Sequence, residues 1–205
     1  MPSFRRHMIN PLQSQPAISP KDVSQELVVD IRSPVKEVQA DDSIETHAAR
    51  LLLLIRYAGG RNLRIVGRTR LAKLDFFIRY PSYLKKAIEI RDADVELSGE
   101  VASPDSEMIR YRYGPWDSRY YDIFALLVAK GFVSIDPSPK GDIFQLTSRG
   151  QFVTEELDSA EFAEVIERCT AVGALFHGDN GTTIKNFVYR HFPEVTANPL
   201  WKKIR

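Results

Sequence analysis

A single cysteine, Cys169, is all that the 205-residue chain contains. An intrachain disulfide is therefore excluded, and a reducing compartment suits the sequence. Long apolar runs are missing as well. The longest, Ile123–Ala129, covers about two helical turns, against the roughly 20 residues that a membrane span needs. Arg5, Arg6 and His7 are followed by no hydrophobic segment, so the start reads as no secretory signal. Net charge is small, +1, which argues against a whole-molecule attraction to nucleic acid. The expectation is a cytoplasmic protein without membrane association.

Groupings that carry catalysis are also lacking. His7, His47, His177 and His191 have no metal-ligand spacing to one another or to Cys169. Neither a phosphate-cradling glycine loop nor a nucleophile elbow is present. Cys169 falls on the apolar stripe of a helix and reads as core. Asp92, Asp94 and Glu96 could suggest a nuclease cluster, but no lysine follows at useful spacing, and a solvated loop fits them better. A non-enzyme is expected, with no cofactor, no metal and no small-molecule substrate.

What is present centres on residues 110–151. Gly114-Pro115 breaks the chain, and Asp117 or Ser118 can cap the helix that follows. Tyr120, Ile123, Phe124, Leu127 and Val128 share one helical face. Gly131 stands where a left-handed C-terminal cap belongs. Phe132–Ile135 and Ile143–Leu146 read as a hairpin, after which Thr147 caps a helix with Phe152, Val153 and Leu157 inward. Helix, hairpin, helix is the core of a winged helix-turn-helix.

Upstream, Asp41, Asp42 or Ser43 opens a helix that stops at Gly59-Gly60, and Leu63–Val66 would add a third strand to the hairpin. Thr69 is expected to cap a helix that Pro81 ends, with another from Ser82 to Ile90. Downstream, Phe162, Val165, Ile166, Cys169, Val172 and Phe176 form the longest amphipathic pattern, with Gly173 on the same face marking a bend or a close approach. Thr182 or Thr183 would cap a short helix ended by Pro193. Leu200–Arg205 is a short amphipathic tail, packed back on the domain or docked to a partner. The fold class expected is α+β, mostly helical: a winged helix-turn-helix core with a small hairpin wing and additional C-terminal helices. Residues 1–40, with five of the twelve prolines, form an extended N-terminal arm, either a flexible tail or a strand donor to a partner. Residues 41–158 form the core, with an acidic insertion near 91–108, and 159–205 a helical extension packed on it.

Charge is segregated along the chain. Residues 61–86 hold eight basic side chains against Asp75 alone, and residues 87–107 hold seven acids against Arg91 alone. Arg61, Arg64, Arg68, Arg70 and Lys73 are thus candidates for sequence-independent DNA contact, or for an acidic partner. The helix at 118–130 sits in the recognition position, but its outward stripe is Arg119, Asp122, Leu126, Ala129 and Lys130. A groove-reading helix presents several Arg, Lys, Asn or Gln side chains at its N-terminal end. Specific base readout is not expected here. Arg119, Asp122, Leu126 and Lys130, with Trp201, are instead candidates for partner docking.

Two stretches carry a family resemblance: Arg64–Leu84, containing Gly-Arg-Thr-Arg-Leu-Ala-Lys-Leu-Asp-Phe-Phe, and Tyr111–Asp117 with the helix and the Leu146-Thr-Ser-Arg-Gly150 that follow. Together with Ile184–Val195 they resemble the middle components of bacterial ABC-three-component antiphage defence systems, the group that includes Lamassu. The resemblance covers about residues 45–205. It implies a non-catalytic accessory subunit that binds an SMC-like ATPase and helps to hold an effector, often a nuclease, inactive until foreign DNA is sensed. The alternative is a stand-alone winged-helix transcription regulator or antitoxin, since the Tyr-Gly-Pro and Leu-Thr-x-x-Gly elements occur in other winged-helix families.

Overall fold

The structure, a computed structural model, describes residues 43–98, 108–112, 114–197 and 199–204. The arm expected over 1–40 and residues 99–107 of the acidic insertion lie outside these. The described residues belong to one compact unit, Val38–Arg205.

Ser43 opens α1 (Ile44–Ala58), its Oγ accepting from the Thr46 amide at 3.1 Å. This satisfies one of the first-turn donors that a helix leaves unpaired. A short 3-10 turn, Gly60–Asn62, leads into β1 (Arg64–Val66) and then α2 (Arg68–Arg79). Thr69 is not the cap of α2. Gly67, at φ 91°, turns the chain directly from β1 into the helix, so Thr69 falls inside the first turn. Pro81 ends α2 as expected and starts α3 (Pro81–Ile90), a position where its missing N–H costs nothing. Ala93, Val95 and Leu97 of the acidic segment then pack partly on the core.

Beyond the gap, β2 (Ile109–Tyr111) and β3 (Gly114–Trp116) form a small antiparallel pair. The next helix, α4 (Tyr120–Ala129), buries Tyr120, Ile123, Phe124 and Leu127 as its spacing predicts. Val128 does not join them and stays 47% exposed. Eight residues past Tyr120 is about 80° beyond two full turns, which carries Val128 off the buried stripe. Leu126, expected to point outward, is instead half-buried against the core. Gly131, φ 68°, closes α4: the Phe132 amide donates to the Leu127 carbonyl and the Gly131 amide to that of Val128, both at 2.9 Å.

The hairpin β4 (Val133–Asp136) and β5 (Ile143–Leu146) takes β1 as its third strand, in the order β1-β5-β4, all antiparallel. Ile65 and Ile135 both stand opposite Phe144, so the register concentrates apolar bulk at the middle strand. Thr147 caps α5 (Ser148–Glu156), accepting from the Gly150 amide at 3.0 Å. The inner stripe of α5 runs through Gly150, Val153, Thr154 and Leu157, and Phe152 falls outside it, 61% exposed rather than buried.

A 3-10 turn precedes α6 (Ala163–Leu175), and α7 (Gly181–His191) and α8 (Pro193–Ala197) follow. The cap of α7 is Asn180, whose Oδ1 accepts from the amides of both Thr182 and Thr183 at 2.9 Å, so neither threonine is the cap. The tail packs back on the domain, one of the two alternatives expected, through a turn at Leu200–Trp201. Its Trp201 amide donates to the Arg110 carbonyl, the Arg110 amide to Lys202, and the Ile204 amide to Met108, at 2.7–2.8 Å. It thereby lies along β2, and Tyr80 Oη pins it by donating to the Ile204 carbonyl.

Eight α-helices and two small antiparallel sheets make up the described residues, a mostly helical α+β fold. None of these helices is long and apolar enough to cross a membrane. The central helix α1 packs chiefly on α6, and α2 on α7, α6 and β3. Phe76, Phe77, Tyr83, Phe176 and Phe192 interlock between α2, α3 and the C-terminal helices, with centroids 4.8–6.0 Å apart. Each such side chain, fully buried, contributes about 1.5–3 kcal/mol.

The α1–α6 crossing depends on Gly173, where an added Cβ would lie 2.7 Å from the Tyr57 carbonyl oxygen and 3.0 Å from Ala58 Cα. Replacing Gly173 with Ala should therefore lower the unfolding free energy by about 1–3 kcal/mol in denaturant titration, because α1 must move. The helix-propensity gain of about 1 kcal/mol offsets this only in part. A variant as stable as the parent would contradict the packing described.

Candidate nucleic-acid interface

The start of α4 is governed by buried charge. Asp75, on α2 and fully buried, accepts from Arg50 Nε of α1 at 2.6 Å and from Tyr120 Oη of α4 at 2.8 Å. Arg79, one turn along α2, lies 3.6 Å from Asp75 Oδ2 and donates to Asp117 Oδ2 at 2.7 Å. Burial alone would raise the Asp75 pKa, but the Arg50 and Arg79 charges and the hydrogen bonds from Arg50 and Tyr120 hold it below the usual carboxylate value. Asp117 is likewise held down, the burial effect being outweighed by hydrogen bonds from Arg119 and by the Arg79 guanidinium. Arg119 folds back on Asp117 through its amide at 2.9 Å, Nε at 3.1 Å and Nη2 at 3.0 Å.

Arg119 is thus half-buried and engaged rather than outward, because the Asp117 carboxylate needs donors at the helix start. Asp122, Val128 and Lys130 remain exposed. Leu126 and Lys130 line an apolar hollow of about 470 Å³ with Leu52, Phe132, Val153 and Phe162. Trp201 stands elsewhere, in the tail. The candidate docking residues therefore do not form one continuous set.

The basic candidates come together better. Arg64, Arg68 and Arg70 line an open groove of about 1120 Å³ with Lys140 of the hairpin tip and Lys185 of α7. Its geometry follows from two glycines. The Gly67 amide donates to the Asp142 carbonyl at 2.8 Å, and a Cβ on Gly141 would stand 3.2 Å from Gly67 Cα. Both have positive φ, so the hairpin tip can lie against the start of α2. Five cations face two acids in this groove. Arg68 is paired with Asp142 and lies 5.6 Å over the Tyr121 ring, while Asp179 pairs with Arg91 at 2.7 Å. Among the described residues, no salt bridge engages Arg64, Arg70, Lys140 or Lys185. Arg70 Nε is buried with no hydrogen-bond partner there. Arg61 is exposed on the 3-10 turn and does not line the groove.

Lys73 is a correction. It is 1% exposed, not a surface cation, and its Nζ donates to the Pro115 carbonyl at 3.0 Å. Every residue from Leu71 to Pro81 is buried, so the lysine stem is enclosed where α2 meets β3. Lys73 also lines a second cleft, of about 410 Å³, with Tyr111, Trp116, Tyr121 and Trp201. The two clefts share Arg68 and Thr69. Lys185, which sequence reading missed, joins the groove only because α7 packs on α2, and nothing in its local pattern signals that. Among the described residues, no group of three or more His, Cys, Asp or Glu side chains is placed to hold a metal ion. Burial pushes the Cys169 thiol pKa up, away from nucleophile chemistry.

No known family model, no curated protein and no solved structure matches the chain.

Burial, with a smaller contribution from Lys185, pushes the Lys73 pKa down to about 7, against about 10.4 for a free lysine. Between these values the unfolded chain binds a proton that the folded chain does not, so this lysine makes stability rise with pH across that window. Below it, the full cost of burying the charged amine is present. Replacing Lys73 with Met should raise stability near pH 6, with the gain shrinking by about pH 9. Denaturant unfolding of both proteins checks this, and parallel stability–pH curves would contradict it.

Proposed function

We propose that this chain is a winged-helix protein serving as a non-catalytic accessory subunit of an SMC-like ATPase antiphage assembly, linking ATPase and effector. The winged-helix reading is supported by the β1-β5-β4 sheet beside α4 and by the order α4, hairpin, α5. The resemblance over Arg64–Leu84 falls on β1, α2 and the start of α3, the segment carrying Asp75 and Arg79.

One observation carries the reading: the helix in the recognition position has no base-reading surface. Of its N-terminal charges, Asp117 and Arg119 pair with each other and Asp117 also with Arg79, which leaves only the acid Asp122 exposed there. Its exposed positions are Tyr121, Asp122, Ala125, Val128, Ala129 and Lys130, with a single cation at the C-terminal end. Base edges call for several Arg, Lys, Asn or Gln side chains near the helix start. Apolar and acidic side chains suit a protein surface instead, depleted of charge at its centre. A cytoplasmic setting fits such an assembly.

Co-expression with an SMC-like ATPase encoded beside this gene tests the proposal. The chain should co-purify with it, and Val128→Asp should reduce recovery at least about tenfold, as loss of a buried apolar anchor would. No co-purification, with antiphage defence unchanged on deleting this gene, would refute the reading. A sequence-specific DNA footprint surviving about 150 mM salt would point to a regulator instead.

A further inference from the structure

The second cleft sets aromatic rings beside the basic groove. Four aromatic side chains line it within a few ångströms of one another. Tyr111 meets Trp201 edge-on at 4.9 Å, and Trp116 stands 6.0 Å from Tyr111 and 6.1 Å from Tyr121. Two of these rings remain open to solvent: Tyr121 is 58% and Trp201 65% exposed. Leaving rings of this size in water forgoes a large burial gain. Trp201 also holds φ 70°, a conformation disfavoured for a bulky residue. Hydrogen bonds on either side, from the Trp201 amide to Arg110 and from the Arg110 amide to Lys202, keep the backbone there. Strain sustained by its surroundings marks positions of use more often than of chance.

The cleft opens into the basic groove through Arg68 and Thr69. Lys73 lines the cleft too, and its Nζ has the Pro115 carbonyl as its one acceptor among the described residues. A lysine nitrogen carries more than one N–H in either protonation state, so a further donor remains for a carbonyl or ring nitrogen entering the cleft. Cations for a phosphodiester chain thus adjoin rings for a base face, the pairing that single-stranded nucleic-acid sites use. The size agrees, since about 410 Å³ lies within the range of small-ligand clefts. A base within a duplex hides both faces in the stack, and only an unpaired base can be splayed into such a cleft.

We propose that the joined clefts bind a single-stranded stretch of nucleic acid, with backbone phosphates along Arg64, Arg70, Lys140 and Lys185 and an unpaired base stacked on Trp201 and Tyr121. The site meets the exposed face of α4 only at Tyr121 and leaves out Val128, the position on which the partnership is tested. It stands or falls independently of the ATPase partnership.

Fluorescence anisotropy of the full chain tests it, with an oligomer of about 12 nucleotides offered as single-stranded DNA, as single-stranded RNA and as duplex DNA at about 50 mM salt. Both single strands, or one of them, should bind at least about tenfold more tightly than the duplex, and the tighter strand identifies the sugar preferred. Trp201→Ala and Tyr121→Ala should each weaken that binding about tenfold, within the range that loss of one stacked base produces. Trp201→Phe should retain most of it, and tryptophan fluorescence should be quenched on binding. The double variant Arg70→Glu, Lys185→Glu should weaken binding and flatten its salt dependence. Tyr121→Ala lies on the exposed face of a helix, so its result stands if the tail variant fails to fold. No binding at this salt, equal or tighter binding to duplex, or single-strand binding indifferent to both aromatic variants would overturn the proposal.

Discussion

Four charged side chains buried where α1, α2 and α4 converge constrain everything around them. Asp75 and Asp117 face Arg50 and Arg79, all between 0% and 4% exposed, with Tyr120 donating to Asp75 from α4. Taking such charges from water costs several kcal/mol per ion, and only close pairing with further hydrogen bonds offsets it. The pairing here is close, at 2.6–2.8 Å for the principal contacts. Removing one member would strand its partner, a loss of about 3–5 kcal/mol. An apolar junction could slide. This one has a single arrangement in which every charge is answered, so it sets the position of α4 against α1 and α2.

The consequence reaches the surface. Because Asp117 is drawn inward by Arg79, Arg119 follows it and closes over the helix start. The side chains that a recognition helix would hold out to base edges are used to hold the fold. What α4 leaves outside is Tyr121, Asp122, small or apolar side chains and a single cation, Lys130, at its C-terminal end. The available cations lie on another side, where the hairpin tip, β1 and α7 meet over Gly67 and Gly141. One packing solution thus leaves α4 with few exposed cations, gathers them in a groove elsewhere, and sets Tyr121 of α4 at the edge of an aromatic cleft.

Local signals were read well from sequence and distant ones poorly. The caps at Thr147 and Gly131 and the stop at Pro81 follow from residue chemistry within a turn or two and stand, while Ser43 is the one of three candidate caps that the structure uses and close approach the one of two readings of Gly173. Errors came where tertiary contact decides. Lys73 is among the contact candidates and Arg79 among the eight basic side chains of residues 61–86, yet their partners are Asp75, Asp117 and the Pro115 carbonyl, the last two roughly forty positions away. Lys73 is enclosed because a run of eleven residues, Leu71 to Pro81, is buried throughout, although its periodicity suggests one wet face. The β2–β3 pair was missed because three-residue strands show no alternation to detect. For the tail from Leu200, read as packed back on the domain or docked to a partner, the structure takes the first alternative, since the edge of β2 supplies its hydrogen bonds. Of the candidate contact residues, Arg64, Arg68 and Arg70 do share a groove, and its completion by Lys140 and Lys185 required the packed fold.

The claim on which the rest depends is that buried charge fixes the start of α4. Native-state hydrogen exchange on the full chain, parent against Asp117→Asn, tests it directly. The prediction is that the amides of Tyr120–Phe124 lose protection by at least about tenfold while those of α6 and α7 keep theirs, because the lesion is local to one junction. Unchanged protection at Tyr120–Phe124, in a variant otherwise folded, would show that α4 is held by apolar packing alone and would contradict the account.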